Sequence, residues 1–377
     1  MIYLDNAATT LVKPDCVAEA VTDALGNMGN TSRGANKAAL SSSVKVLEAR
    51  MLLAGLFNAG DESRVAFTSN STEALNMAIK GCLKAGDHVI TTVWEHNSVL
   101  RPLYEMEDRG VNISFVGMSD EGLINPEDIR KEIRPNTAAV ITTHASNLTG
   151  DLVDINKIGK IAKDNNLLYI VDASQTAGVI DIDVEKSGID ILCFTGHKSL
   201  LGPQGTGGIY VRDGVDIKHF KTGGSGTMTF SHSHPDNMPD KLEAGTLNGH
   251  GICGLCAAVK FINETGISNI REKEDELMKM FYNGVKDIPG VKIYGNFNQK
   301  QRCPIVSLNI GDEDSGTVSD ILSYKYDIAT RSGGHCAPLA HIAFGTKEQG
   351  MVRFSFNFFN TEEEVKAAIN AIADIAK

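Results

Sequence analysis

From about residue 60 to residue 215, short apolar runs alternate with amphipathic stretches, and this alternation restricts the fold more than any other feature of the chain. Val65–Thr68, His88–Val93, Val111–Met118, Ala138–Thr143 and Leu167–Val171 are rich in Val, Ile, Phe and Thr and read as strands. Between them, Ser71–Leu83, Pro126–Ile133 and Asp154–Asn165 carry helical spacing, with Ile155, Ile158, Ile161 and Ala162 on one face. Strands that alternate with helices imply an α/β fold around a mostly parallel sheet covered on both sides. Ligands of such sheets sit beyond the carboxyl ends of the strands, so the residues just after each strand are the ones to inspect.

The last hundred residues have another texture. Ser268–Ile288 reads as a long charged helix, followed by Val291–Tyr294, Ile305–Ile310, a helix near Thr317–Tyr326, and Met351–Phe359. In Thr361–Lys377, Thr361 is placed to cap a helix whose acidic start, Glu362 to Glu364, suits the positive end of the dipole. This predicts a large domain over residues 15–255 and a smaller α+β domain made of 1–14 and 256–377. A formal net charge of -11 argues against a nucleic-acid partner. No apolar run approaches the ~20 residues that span a bilayer, and MIYLDNAATT shows no secretion signal. Seven scattered cysteines do not suggest a disulfide framework, so a reducing cytoplasm is the simplest location.

Polar clusters follow several strands. SNSTEALN places Asn70, Ser71 and Thr72 at a helix start, which serves equally as a plain cap or as a phosphate seat. In VDASQTAG, Asp172 suits a cap, a metal ligand or a partner for a cationic ring nitrogen. FTGHKSLLGPQGTGG places Thr195, His197 and Lys198 after another strand, within a glycine-rich turn; the lysine is either a surface charge or a nucleophilic amine. Together these clusters fit pyridoxal 5'-phosphate, which needs a phosphate seat, a lysine for covalent attachment and an acid to keep its ring nitrogen protonated. His96, in TTVWEHNSV, is placed to stack over the ring.

VDASQTAG followed by FTGHKSLLGPQGTGG resembles the cofactor signature of class V aminotransferases, which are fold-type I pyridoxal-phosphate enzymes with a large sheet domain and a smaller α+β domain. More narrowly, the chain resembles cysteine desulfurases from YLDNAATT to RFSFNFFNT. The resemblance implies that Lys198 holds the cofactor, Asp172 pairs with its ring nitrogen, and Gln175 contacts the ring oxygen. It places Ser71, Thr72, Thr195 and His197 on the phosphate, His96 on the ring face, and Asn147 near the ring oxygen and substrate. GGSGT (223–227) and LEAGTLN (242–248) resemble segments that reach a neighbouring subunit, with Thr246 on the phosphate across a homodimer.

An aminotransferase needs no thiol, but RSGGHCAPLAH carries Cys336 among Gly333, Gly334, His335 and Pro338. Its glycines predict a mobile backbone, and His335 and Arg331 predict a cationic setting that favours thiolate. Cys16, Cys82 and Cys193 read as inert small hydrophobes, and the Cys253/Cys256 pair as one turn of helix rather than a zinc site. SHSH at 231–234 reads as a loop rather than a metal site. RSGGHCA is similar to the RxGHHCA of group II cysteine desulfurases, with Gly334 in place of a histidine. The serine-rich loop motif of group I is missing.

By the same resemblance Arg353, which could otherwise be a surface salt bridge, pairs with a substrate carboxylate, and Arg331 assists. The implied reaction converts L-cysteine to L-alanine and leaves a persulfide on Cys336 for an acceptor protein or thiol, with L-selenocysteine as a second substrate. The alternatives are a selenocysteine lyase, a class V aminotransferase in which the thiol has no role, and a catalytically silent scaffold for sulfur transfer. A nucleotide-binding oxidoreductase is set aside because no GxGxxG follows a strand.

Overall fold

The computed structural model describes residues 1–31 and 36–377. A short strand β1 (Ile2–Tyr3) precedes helices α1 (Asp15–Asn27) and α2 (Lys37–Leu56). The alternating region then forms β2 (Val65–Thr68), α3 (Ser71–Cys82), β3 (His88–Thr92), α4 (Asn97–Glu107), β4 (Asn112–Val116), α5 (Pro126–Lys131) and β5 (Thr137–Thr143). It continues through α6 (Ile155–Asp164), β6 (Leu168–Asp172) and β7 (Ile191–Thr195) to β8 (Gly207–Val211). These strands form one sheet of seven among the described residues, in the order β2-β8-β7-β6-β5-β3-β4.

Strands β3 to β7 pair in parallel, as the alternation predicts, whereas β8 is antiparallel to both β7 and β2. The physical reason lies in the connection. Residues 196–206 contain no helix, and a parallel return would need a crossover of a dozen or more residues. Every residue of β2, β3, β7 and β8 is buried, because both faces of the sheet are covered. Neighbouring side chains divide between those faces: Ile170 packs with Leu75, Ile79 and Leu103 of α3 and α4, and Val171 with Leu53, Phe57 and Ile158 on the other side.

Helices α7 (Gly249–Thr265) and α8 (Ile267–Val285) follow. Leu255, Val259 and Ile262 of α7 join the core on the α2 side of the large sheet, and Cys253 and Cys256 lie one turn apart on it. The rest of the chain comprises β9 (Val291–Tyr294), β10 (Ile305–Ile310), α9 (Ser315–Tyr326), β11 (Ile328–Ala329), α10 (Pro338–Phe344), β12 (Val352–Ser355) and α11 (Glu362–Ile375). An antiparallel sheet in the order β12-β10-β9 packs Val306 and Phe354 against Phe281 of α8 and Ile372 of α11. Leu4 joins this core while β1 pairs with β11, so the two ends of the chain share one unit. Thr361 caps α11 reciprocally with Glu364. Among the described residues no helix is long and apolar enough to cross a membrane, and no cluster of His, Cys, Asp and Glu could hold a metal ion.

Candidate active site

Beyond the carboxyl ends of the parallel strands lies a cavity of about 280 Å³. Ser71 and Thr72 enter it from the start of α3, His96 from the end of β3, Asn147 from beyond β5, and Asp172 and Gln175 from the end of β6. Thr195 ends β7 and His197 and Lys198 follow it, and Arg331, Cys336 and Arg353 line the cavity from the C-terminal part of the chain. Thr246 does not line this cavity of its own chain; it lines another, of about 210 Å³, with Glu73 and Lys221.

The start of α3 has the donors an anion requires. Asn70 caps it by accepting the Glu73 N–H at 2.9 Å, and the Thr72 hydroxyl lies 2.8 Å from that of Ser98. Free N–H groups and the positive end of the helix dipole face outward there. A Cβ on Gly207 would come within 2.8 Å of the Asn70 Cα, so this glycine lets β8 pass against the helix start. One glycine of the Lys198 turn therefore serves the neighbouring helix.

Burial pushes Lys198, Asp172, His96 and His197 toward their neutral forms. Lys198 is half-buried, and the packing around its amine is the main reason its pKa is pushed down to about 8. The Asp172 carboxylate opposes that shift, and Arg353 and Arg331 reinforce it. Asp172, 3 % exposed, is itself raised by desolvation, while hydrogen bonds from the Ser174 hydroxyl and N–H (the latter at 2.9 Å) and the charge of Lys198 pull it back. His96 accepts the Ser98 N–H on Nδ1 at 3.0 Å, so a proton on the neutral ring belongs to Nε2. Burial, then the charges of Lys198 and nearby arginines, depress its pKa to about 4. His197, whose Nδ1 lies 3.0 Å from the Thr9 hydroxyl, is lowered to about 4 by burial and then by the charges of Lys198 and Lys13.

Cys336 is exposed, whereas Cys193 is buried and Cys16 and Cys82 are half-buried. Burial raises the pKa of all three of the latter, Cys82 to about 12, which suits inert thiols. Two expectations about the Cys336 segment are corrected. Its backbone is pinned, because the Asn97 N–H donates to the Cys336 carbonyl at 2.8 Å and Asn147 Nδ2 to the His335 carbonyl at 2.7 Å. His335 supplies no cation to the thiol: its ring is 4 % exposed, lies against the Arg331 carbonyl and His341, and is held well below its usual pKa by burial and by Arg353. His335 and Cys336 both have left-handed backbone, φ 47° and 56°, at a cost of about 1–2 kcal/mol each for residues with a Cβ. Gly334 has an ordinary φ, and a Cβ at this position would meet nothing within 4 Å, so local packing does not demand a glycine there.

Arg353 is not a surface residue. It is 1 % exposed, bonds the Asn147 carbonyl at 2.8 Å through Nη1, and pairs with Asp5 at 2.9 Å through Nη2. Its Nε and the Asn147 Oδ1 are buried without a hydrogen-bond partner among the described residues. Arg331 makes no ion pair among the described residues.

The family model for aminotransferase class V matches residues 2–368. The chain belongs to that family. Members of the family are in general pyridoxal-phosphate enzymes. Over its whole length the chain is 34 % identical to a probable cysteine desulfurase of Methanothermobacter thermautotrophicus, covering 94 % of that protein. It is 32 % identical to cysteine desulfurase IscS of Photobacterium profundum, with 98 % of this chain and 91 % of that one aligned. Among solved structures, the apo cysteine desulfurase of Thermococcus onnurineus superposes with a TM-score of 0.92 at 31 % identity, covering all of this chain and 94 % of the other. Cysteine desulfurase CsdA of Escherichia coli gives 0.88 at 27 % identity, with 100 % and 94 % covered.

Two residues of this class V chain escape the sequence reading. Asp5, the partner of Arg353, lies in YLDNAATT, where an acid directly after Leu4 was the available signal. Glu95, beside His96, is fully buried and joins two strand ends: it accepts the Thr92 hydroxyl at 2.7 Å and the Thr143 N–H at 2.9 Å. Burial pushes its pKa up to about 8.

Proposed function

We propose that the chain is a pyridoxal 5'-phosphate-dependent cysteine desulfurase that converts L-cysteine to L-alanine and leaves a persulfide on Cys336. The observation that carries this reading is an exposed thiol, Cys336, opening into the same cavity as the depressed amine of Lys198 and the guanidinium of Arg331. An aminotransferase has no use for that thiol.

The donors present fit the cofactor. Asp172 offers a buried anion for a cationic ring nitrogen, and Lys198 an amine for covalent attachment. Ser71, Thr72, Thr195 and His197 would hold a phosphate at the start of α3, with Thr246 reaching the site of a neighbouring subunit. His96 would lie on the ring, with Gln175 and the unpartnered Asn147 Oδ1 near its oxygen. When bound, pyridoxal phosphate supplies an electron sink for the pair released as the Cα–H bond breaks.

The chain's own residues would do the rest. Arg353 and Arg331 would hold the substrate carboxylate, for which planar guanidinium geometry is suited. Lys198 Nζ, its pKa near 8, would take the Cα proton without strong acidity or basicity to overcome. Cys336 Sγ would attack the substrate sulfur. An S–S bond forms as the C–S bond breaks, the electron pair stays on the β-carbon, which takes up a proton to become the methyl of alanine, and Lys198 Nζ would return a proton to Cα. The sulfane sulfur would then pass to an acceptor protein or thiol. L-Selenocysteine would follow the same path, and a reducing cytoplasm would suit a carrier of this kind.

A homodimer fits an apolar stripe on α2, where Leu40, Val44, Leu47 and Met51 repeat at helical spacing and are 57, 64, 46 and 55 % exposed. The test is to incubate the holoenzyme with L-cysteine and, separately, with L-selenocysteine, quantifying alanine, sulfide or selenide, and the mass of the Cys336 peptide. Alanine formation from L-cysteine that survives Cys336→Ala unchanged would sink the desulfurase reading in favour of a lyase that needs no protein thiol, and conversion of L-cysteine to its keto acid without alanine would favour an aminotransferase.

A further inference from the structure

Behind Cys336 stand two buried histidines that the chemistry above does not use. His335 and His341 are 4 % and 2 % exposed, and their rings stack at 10° with centroids 5.7 Å apart. His335 Nε2 lies 3.2 Å from the Arg331 carbonyl oxygen, which can only accept, so Nε2 carries the proton. On a neutral ring Nδ1 is then an acceptor, and it faces His341 Nε2 at 3.5 Å. His341 must therefore be protonated on Nε2, which leaves its Nδ1 to accept from the Thr346 hydroxyl at 2.9 Å. The chain runs one way, from Thr346 through His341 and His335 to the Arg331 carbonyl. Burial favours the neutral form of both rings; at His335 the Arg353 and Arg331 guanidiniums add to it and the Arg331 backbone opposes it, and at His341 the Thr346 backbone opposes it.

We propose that His341 is a positioning residue for Cys336: through His335 it holds the left-handed turn at residues 335 and 336 that presents the thiol to the cavity. The His335 and Cys336 carbonyls are already fixed by Asn147 and Asn97. The His335 ring is held at Nε2 by the Arg331 carbonyl and at Nδ1 by His341. Without its donor, His335 Nδ1 is buried and unpaired, and a turn that is unfavourable for residues with a Cβ loses a restraint. The inference rests on the desulfurase reading for its kinetic readout alone.

The test compares the wild-type holoenzyme with His341→Leu, His341→Gln and Thr346→Val. It measures kcat and KM for alanine formation, the visible absorbance of the cofactor, and the rate at which iodoacetamide alkylates Cys336, mapped by mass spectrometry. In His341→Leu, kcat should fall on the order of 10-fold, since small misplacements of a reacting group are costly. KM and absorbance should hold, and the Cys336 alkylation rate should change several-fold. Thr346→Val should move in the same direction by less. His341→Gln should recover most of the loss, because an amide both donates to His335 and accepts from Thr346. A folded leucine variant with wild-type kcat and alkylation overturns the proposal, as does a glutamine variant no better than leucine. If His341→Leu does not fold, unchanged kcat and alkylation in Thr346→Val overturn it instead. If wild type forms no alanine from L-cysteine, the desulfurase reading fails, while the alkylation rates still decide the role of His341.

Discussion

On the sheet side of the cavity, Asp172 and Thr195 close β6 and β7, strands set by parallel pairing and covered on both faces. On the facing side, Cys336 sits in an irregular segment between β11 and α10, exposed and in a left-handed turn. The first side tunes ionisation: its groups are desolvated, and Lys198, Asp172 and His96 are all displaced toward neutrality. The second side presents a group. A proton acceptor gains from a desolvated setting that lowers its pKa, whereas a thiol that must hand sulfur onward has to remain reachable from outside.

If that division is right, removing either group should have separable effects. Lys198→Ala carries the largest: alanine formation should drop by about 10⁴-fold, and the visible absorbance of the attached cofactor should disappear. Cys336→Ala should cost about 10³-fold in alanine formation while the absorbance stays, and its melting temperature should match wild type because an exposed side chain carries little stability. Loss of the cofactor signal in Cys336→Ala would show the two sides to be one cooperative unit. Smaller again is the contrast between the arginines. Arg331→Ala should raise KM for L-cysteine about 10-fold with little change in stability, since its guanidinium has no ion pair to lose among the described residues. Arg353→Ala should lower the melting temperature as well, because it strands the Asn147 carbonyl and the Asp5 carboxylate. Equal melting temperatures for the two variants would contradict the burial difference between them.

The same two sides differed in how far the sequence revealed them. Strand ends are legible because apolar runs mark where a strand stops, so Asp172, Lys198 and His96 can be placed in a common layer before any coordinates. Strand β8 was less so: Gly207 and Gly208 look like part of a loop, and only the short connection after β7 turns the chain back antiparallel. The cysteine segment was legible as chemistry but not as geometry. Nothing in RSGGHCAPLAH says that His335 turns inward, since that depends on a ring six residues later and on Asn147, 188 residues earlier. Asp5 escaped for the same reason, its partner Arg353 lying 348 residues away.

The smallest expected effect tests whether burial-driven shifts identify a site at all. Glu274, on α8, is 3 % exposed and lines no part of the cavity, yet burial pushes its pKa up to about 8, opposed by the Phe358 N–H that it accepts at 2.9 Å. Its other oxygen has no hydrogen-bond partner among the described residues. A carboxyl whose folded-state pKa is raised contributes stability in full below its unfolded value, near 4.5, and loses it as pH rises through 8. Across that window the loss is at most about 1.4 kcal/mol per pH unit. Glu274→Gln keeps an acceptor for Phe358 and carries no charge, so it should melt at the wild-type temperature at pH 5 and above it at pH 8, by roughly 2 °C for each kcal/mol removed. Its kcat at pH 8 should equal that of wild type. A thermal-melt series at the two pH values, with alanine formation in parallel, checks both. Should Glu274→Gln alter kcat but not the pH dependence of melting, Glu274 would belong with the ionisation side after all. Should it alter only the melting, then Lys198 and Glu274 show the same physics with different outcomes, and what makes the lysine chemical is the cavity it opens on.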